Sequence, residues 1–179
     1  MPEHWLLTWT TYGTWLPGDR RGFVGKQVAA DGTTFCHNLP GTPYDSDNPP
    51  LKQAMADRML GPAIYLCTEQ AQVLLKQLRA TAEFRKGTLL AAAVMSWHLH
   101  LVVGTSGEVA SEKLLQDFKA YGSRALNQRW SKPPNGTWWT ESGSRRKLPH
   151  KNAVKFAVRY VSLQPGVLAT WLPVDWREL

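Results

Sequence analysis

The sequence predicts an α+β fold, a small antiparallel sheet with helices packed on one face in a split β-α-β order. Three observations carry that expectation. β-prone runs open the chain and recur in its middle. Between and after them lie stretches whose apolar residues recur at helical spacing. The two middle runs, "TLLAAAV" and "WHLHLVV", are separated by too few residues for a crossover, so they read as neighbouring antiparallel strands.

"HWLLTWTTYGTW" supplies a first strand at roughly residues 4–12. From about 13 to 62 the chain is rich in Gly, Pro, Asp and Asn, a long loop insertion with a short helix at "LKQAMADRML". "TEQAQVLLKQLRATAEFRKG" is a helix with Thr68 as its cap, Gly87 at its end, and Ala71, Leu74, Leu75, Leu78 and Ala82 on one stripe. "SEKLLQDFKAYGSRALNQRW" is a second helix, capped by Ser111 and broken by "KPPNGTWW". "ESGSRRKLP" reads as a basic loop or edge strand. "HKNAVKFAVRYVSL" reads as a third helix, with Val154, Ala157, Val158 and Val161 on one side. A final strand is expected after it. The whole, 1–179, is expected to be one domain without repeats.

Composition narrows the function classes. At 43% hydrophobic and 20% charged residues the chain is an ordinary globular protein, long enough for a substantial core. No apolar run reaches the roughly 20 residues of a membrane helix, and "MPEHWLLTWT" lacks a leader pattern. Cys36 and Cys67 have no metal-type spacing, so a cytoplasmic protein with reduced thiols is expected. The net charge of +7 is concentrated. Residues 113–159 hold eleven Lys or Arg against Asp117 and Glu141, and the remainder holds ten against twelve acids. A basic segment beside a near-neutral body suits a polyanion partner. Nine tryptophans, among them Trp130, Trp138, Trp139, Trp171 and Trp176, suggest stacking on unpaired bases as well as core packing.

The chemistry centres on "MSWHLHLVVG". Side chains alternate along a strand, so His98 and His100 share one face, roughly 7 Å apart along the backbone, and can converge on one cation. Leu99, Leu101 and Val103 share the other face. Cupin and histidine-triad sites are poorly matched: the next acid after His100 is Glu108, and Val102 stands where a third alternating His belongs. Neither cysteine lies near enough in sequence for a structural zinc. A zinc hydrolase of small substrates is disfavoured by the basic segment.

In "LLQDFKAYGSRALN", Leu114, Phe118, Tyr121 and Ala125 form one stripe, which puts Tyr121 at the core-facing edge. A buried tyrosine is one reading. Lys119 and Arg124 on the same helix, ready to hold phosphates, favour another. Gly122, costing about 1 kcal/mol against Ala, would bare the backbone beside the phenol.

"MSWHLHLVV", followed some twenty residues later by "FKAYGSRALN", resembles the single-tyrosine transposases of the HUH endonuclease class. The opening "LLTWTTYGTWLPGDRRGFV" and the tail "TWWTESGSRRKL…AVRYV" look most like the REP-associated tyrosine transposases, relatives of the insertion sequence 200 family. The resemblance implies a ferredoxin-like core with the His pair on a central strand and the tyrosine on a helix facing it. It implies that His98 and His100 bind Mg²⁺ or Mn²⁺, and that Tyr121 attacks single-stranded DNA bearing hairpins or palindromic repeats. The product is a 5′-phosphotyrosine with a free 3′-OH. On this footing the chain is a metal-dependent endonuclease and strand transferase, a monomer or a homodimer.

The family often places an amide ligand one helical turn after the nucleophile; here that position is Ala125. Gln128, two turns on, is the substitute, with Asn127 and Asp117 behind it. The alternative is a DNA-binding protein with impaired catalysis. For DNA contacts, Lys119, Arg124, Arg145, Arg146 and Lys147, with Arg20 and Arg21 from the long loop, are expected on phosphates. Trp139 or Trp138 is expected as a base platform.

Overall fold

The computed structural model describes residues 3–21, 25–28, 34–37, 47–107 and 109–173, with backbone only for 25–28 and 34–37. The side chain of Cys36 and residues Glu108 and Trp176 lie outside this set. In chain order the elements are β1 (Glu3–Thr10), β2 (Gly25–Val28), β3 (Thr34–His37), α1 (Pro49–Asp57), α2 (Thr68–Phe84) and β4 (Thr88–Met95). They continue with β5 (His98–Thr105), α3 (Ser111–Asn127), β6 (Ser144–Leu148), α4 (Lys151–Ser162) and β7 (Val167–Trp171). Residues 1–12 and 64–179 form one compact unit, and residues 13–63 form a second.

In the first unit five strands make an antiparallel sheet in the order β6-β1-β5-β4-β7. β5 is central, with Thr8 of β1 opposite His100 on one side and Ala93 of β4 opposite it on the other. Alternation divides the strand between two cores. Leu99, Leu101 and Val103 join Leu7, Trp9, Leu74, Leu78, Leu114, Phe118 and Leu126 in the larger core, under α2 and α3. On the opposite face Val102 joins Ala91, Ala93, Met95 and Leu148 beneath Ala157, Val158 and Val161 of α4.

The α+β class and the antiparallel sheet are as expected. The third helix is not on the same face as the other two. Its stripe of Ala157, Val158 and Val161 needs an apolar surface, and the small residues of β4 supply one on the far side of the sheet. The final strand exists as β7, paired to β4 at the sheet edge. "SRRKL" is an edge strand on β1.

Local signals were displaced by single residues. The caps of α2 and α3 are Cys67 and Ala110, one residue before the expected Thr68 and Ser111. The α2 cap is closed by the Cys67 N–H, which donates to Gln70 Oε1 at 3.0 Å. At the end of α2, Lys86 takes the positive φ (52°). Gly87 has a different task, because a Cβ there would sit 2.7 Å from the Gly104 carbonyl oxygen of β5. Gly122 does not bare a site. It lets α3 approach α2, where a Cβ would come within 3.2 Å of Leu74.

The second unit covers the segment expected as a loop. It contains the β2-β3 antiparallel pair and α1, which starts with Asn48 Oδ1 accepting from the Leu51 N–H at 3.1 Å. Asp19, 5% exposed, accepts from Arg21 Nε at 2.7 Å and pairs with Lys52 at 2.9 Å. The Arg21 hydrogen bond, then that of Lys52, outweighs burial and holds the Asp19 carboxyl far below the usual carboxylate range.

Among the described residues Trp9 is the largest fully buried side chain, and it stands edge-on to Trp139 at 6.1 Å. Trp9→Ala is expected to lower stability by about 3–5 kcal/mol, read as a lower urea midpoint. A change below about 1 kcal/mol would show that this core tolerates the cavity.

Candidate active site

His98 and His100 lie on the α4 face of the sheet, with ring centroids 4.9 Å apart and planes at 86°. His100 is 6% exposed, and its Nδ1 lies 2.7 Å from Thr8 Oγ1 on the neighbouring strand. Burial, with the charge of His98 second, pushes the His100 pKa down to about 3. The imidazole is therefore neutral at ordinary pH. With Nδ1 engaged by Thr8, Nε2 is the nitrogen left to coordinate. Trp97 lies against His98, with ring centroids 3.8 Å apart and planes tilted by 42°.

The aromatic partner of the pair comes from α4. Tyr160 is 49% exposed, and its ring lies edge-on to His100 at 5.2 Å. Gln164 lies four residues on, just past the helix end at Ser162, and its Nε2 donates to the Tyr160 carbonyl at 3.1 Å. Among the described residues no group of three or more His, Cys, Asp or Glu converges. The donors brought together are the two imidazoles, with His100 unprotonated, which fits a divalent cation that keeps open positions for water or phosphate oxygens.

Tyr121 is not at this site. It lies on α3, which packs against the Leu99 and Leu101 face, so the sheet stands between Tyr121 and the imidazoles. Its ring meets Phe84 of α2 at 5.9 Å and lies under the Arg124 guanidinium at 5.0 Å. The expectation failed because it placed the helix after the His strand on the His face. That helix instead follows the leucines. Gln128, exposed at the end of α3, is separated from the pair for the same reason. Asp117 is held by Arg85 at 2.6 Å and Lys113 at 2.9 Å, and Asn127 accepts from the Trp138 indole.

Several expected DNA contacts have structural partners. Lys119 Nζ donates to the carbonyls of Thr140 (2.5 Å), Glu141 (2.9 Å) and Ser142 (3.2 Å), using all three donors. Desolvation pushes its pKa down to about 8, against the opposing pull of Glu141. Lys119 fastens the segment before β6 and is not placed as a phosphate contact. Trp139 is 4% exposed and donates its indole N–H to the Lys119 carbonyl at 2.9 Å, so no ring face is open to a base. Trp138, 5% exposed, is equally enclosed.

On β6, Arg145 points to the α3 face and pairs with Glu112 at 2.7 Å, while Lys147 pairs with Glu3 and lies over Trp5 at 5.7 Å. Arg146, opposite Leu6, shares the His face. Arg124 is exposed over Tyr121. In the second unit Arg21 is bound to Asp19 and to the Thr14 carbonyl, and Arg20 is exposed in an open pocket beside Asp47.

No protein-family model matches the sequence, and no curated protein matches it. Solved structures do. The chain is similar to a REP-associated tyrosine transposase bound to a REP hairpin, at 13% identity and a TM-score of 0.51, over 91% of this chain. The likeness is one of fold. This chain spans 66% of that structure's chain. It is also similar to a candidate transposase from Deinococcus radiodurans, at 14% identity and a TM-score of 0.46, over 90% of each chain.

Tyr160 and Gln164 were not singled out from the sequence, although the amide that the resemblance leads one to expect after a tyrosine could have drawn attention to them. Four residues after Tyr121 stands Ala125; four after Tyr160 stands Gln164.

The buried imidazole has a measurable signature. His100 is expected to remain neutral at pH 5.5 in nitrogen-detected NMR, and a titration near 6.5 would contradict its burial. The unfolded chain takes up this proton near 6.5 and the folded chain only near 3. The stability contributed is therefore full above about pH 6.5 and lost as pH falls.

Proposed function

We propose that the protein is a metal-dependent enzyme that nicks and rejoins single-stranded DNA carrying hairpins, with Tyr160 as its nucleophile. The observation that carries this reading is the half-exposed Tyr160 ring 5.2 Å from His100, with Gln164 one turn behind. Support for a DNA substrate comes from the basic segment 113–159, in which α4 contributes Lys151, Lys155 and Arg159. No described helix is long and apolar enough to cross a membrane.

His98, His100 and Gln164 would hold Mg²⁺ or Mn²⁺, which when bound supplies positive charge to the scissile phosphate and makes the phenol a better nucleophile. Thr8 fixes the orientation of His100 through Nδ1, and burial keeps that ring unprotonated and available. The exposed edge of Tyr160 lets a strand reach its Oη. Attack by Oη on phosphorus forms the tyrosyl ester and breaks the bond to O3′. The 5′-phosphate stays on Tyr160, and the 3′ end leaves as a hydroxyl once protonated. Attack by a 3′-OH on the ester reverses the reaction, and because the ester conserves the bond broken, no nucleotide cofactor is required.

The reading as a catalytically impaired DNA-binding protein rested on Ala125. With Tyr160 as nucleophile, Gln164 occupies the position where an amide is wanted.

The test is covalent capture of labelled single-stranded DNA from the flanks of the gene, with Mn²⁺ or Mg²⁺, on a denaturing gel. Tyr160→Phe is expected to abolish the adduct, and Tyr121→Phe to leave it at the wild-type level. Gln164→Ala is expected to raise the metal concentration required. An adduct formed by Tyr160→Phe would overturn the assignment. So would metal-independent cleavage by a variant carrying both His98→Ala and His100→Ala.

A further inference from the structure

Helix α4 turns an uncovered apolar strip outward. Phe156 is 70% exposed, Tyr160 49% and Leu163 67%. They follow one another at spacings of four and three, so they adjoin on one side of the helix and its C-terminal cap. Leu60, Tyr65 and Phe84 are exposed as well, but only the α4 residues fall at helical spacing on one helix face, and a contiguous strip of this kind marks a contact surface. Arg159 lies between them, three residues after Phe156 and four before Leu163. The helix also carries Lys151 and Lys155 and has no acid at all.

These features select one class of partner. An open aromatic ring bordered by guanidinium and ammonium groups fits an unpaired nucleotide, whose base stacks while its phosphate is paired. A second copy of the same surface would set cations against cations. A duplex offers no base faces to stack. Tyr160 lies about 6 Å along the helix axis from Phe156.

We infer that the outward strip of α4 is the bed of a single nucleic-acid strand. Phe156 stacks on a base beside the phosphate that Tyr160 attacks, and Arg159 pairs with the backbone next to it. The register of the strand rests on the reading of Tyr160 as nucleophile, whereas the binding surface itself requires no cleavage.

The test measures binding of the full chain to fluorescein-labelled single-stranded oligonucleotides by anisotropy, in EDTA so that no chemistry intervenes. A single abasic nucleotide is walked along the probe. Phe156→Ala is expected to weaken binding about tenfold, and Phe156→Trp to restore it. One abasic position should cost the wild type about tenfold and cost Phe156→Ala almost nothing. Arg159→Gln should reduce the slope of log affinity against log salt by about one.

Wild-type affinity in Phe156→Ala, or abasic penalties equal in the two proteins at every position, would overturn the proposal. A wild-type dimer that Phe156→Glu splits into monomers would assign the strip to self-association and overturn it as well. If adducts form at Tyr160 while binding ignores Phe156, only the strand path fails. If the binding effects hold while no adduct forms, only the nucleophile assignment fails. No binding of any oligonucleotide by the wild type would remove both.

Discussion

The whole arrangement depends on β5 being buried on both faces. Successive side chains of a strand must point in opposite directions, and here each direction meets a different core. The leucines at 99 and 101 draw α2 and α3 to one side. The imidazoles at 98 and 100, interleaved with them, are thereby committed to the other side, where α4 meets them. A slip of one residue in pairing with β1 would exchange the two sets and bury the imidazoles among leucines. Thr8 helps to prevent that slip, since its hydroxyl reaches His100 only in the observed register.

This division explains which parts of the molecule were legible in the sequence. Helices α2, α3 and α4 and strands β1, β4 and β5 were readable from periodicity, because each has one apolar stripe or run that must be covered. Periodicity does not say which side of the sheet a helix will choose. Tyr121 was a plausible site residue while α3 was free to lie on either face. The rule that decides the matter was present all the same. The longer aliphatic residues of β5 demand the two larger helices, and the alanines of β4 suit a helix with a small-residue stripe. The amide that the resemblance leads one to expect after the tyrosine is missing at Ala125, whereas a glutamine stands four residues after Tyr160.

Charge was a poorer guide than position. The basic run 113–159 is real, but its members divide between different tasks. Lys113 neutralises buried Asp117 together with Arg85, and Lys119 anchors the chain ahead of β6. Arg145 and Lys147 are paired on the α3 side of the sheet edge, while Lys151, Lys155 and Arg159 belong to the helix beside the imidazoles. Tryptophan abundance misled similarly. Trp9, Trp138 and Trp139 are core, and each indole N–H of the latter pair is tied to α3. Composition indicated a polyanion partner without indicating which cations would meet it.

The interface beneath α4 sets Ala91 and Ala93, beside Met95, Val102 and Leu148, against Ala157, Val158 and Val161. Their methyl groups are therefore spacers: they govern how deeply the tyrosine-bearing helix settles, and so the gap between a phenol and a pair of imidazoles. Interiors packed to crystal-like density transmit such changes in thickness with little loss. In this molecule the distance between the Tyr160 ring and the imidazoles is a property of side chains that touch neither of them, and exchanging one methyl for two could change it without altering a single polar residue.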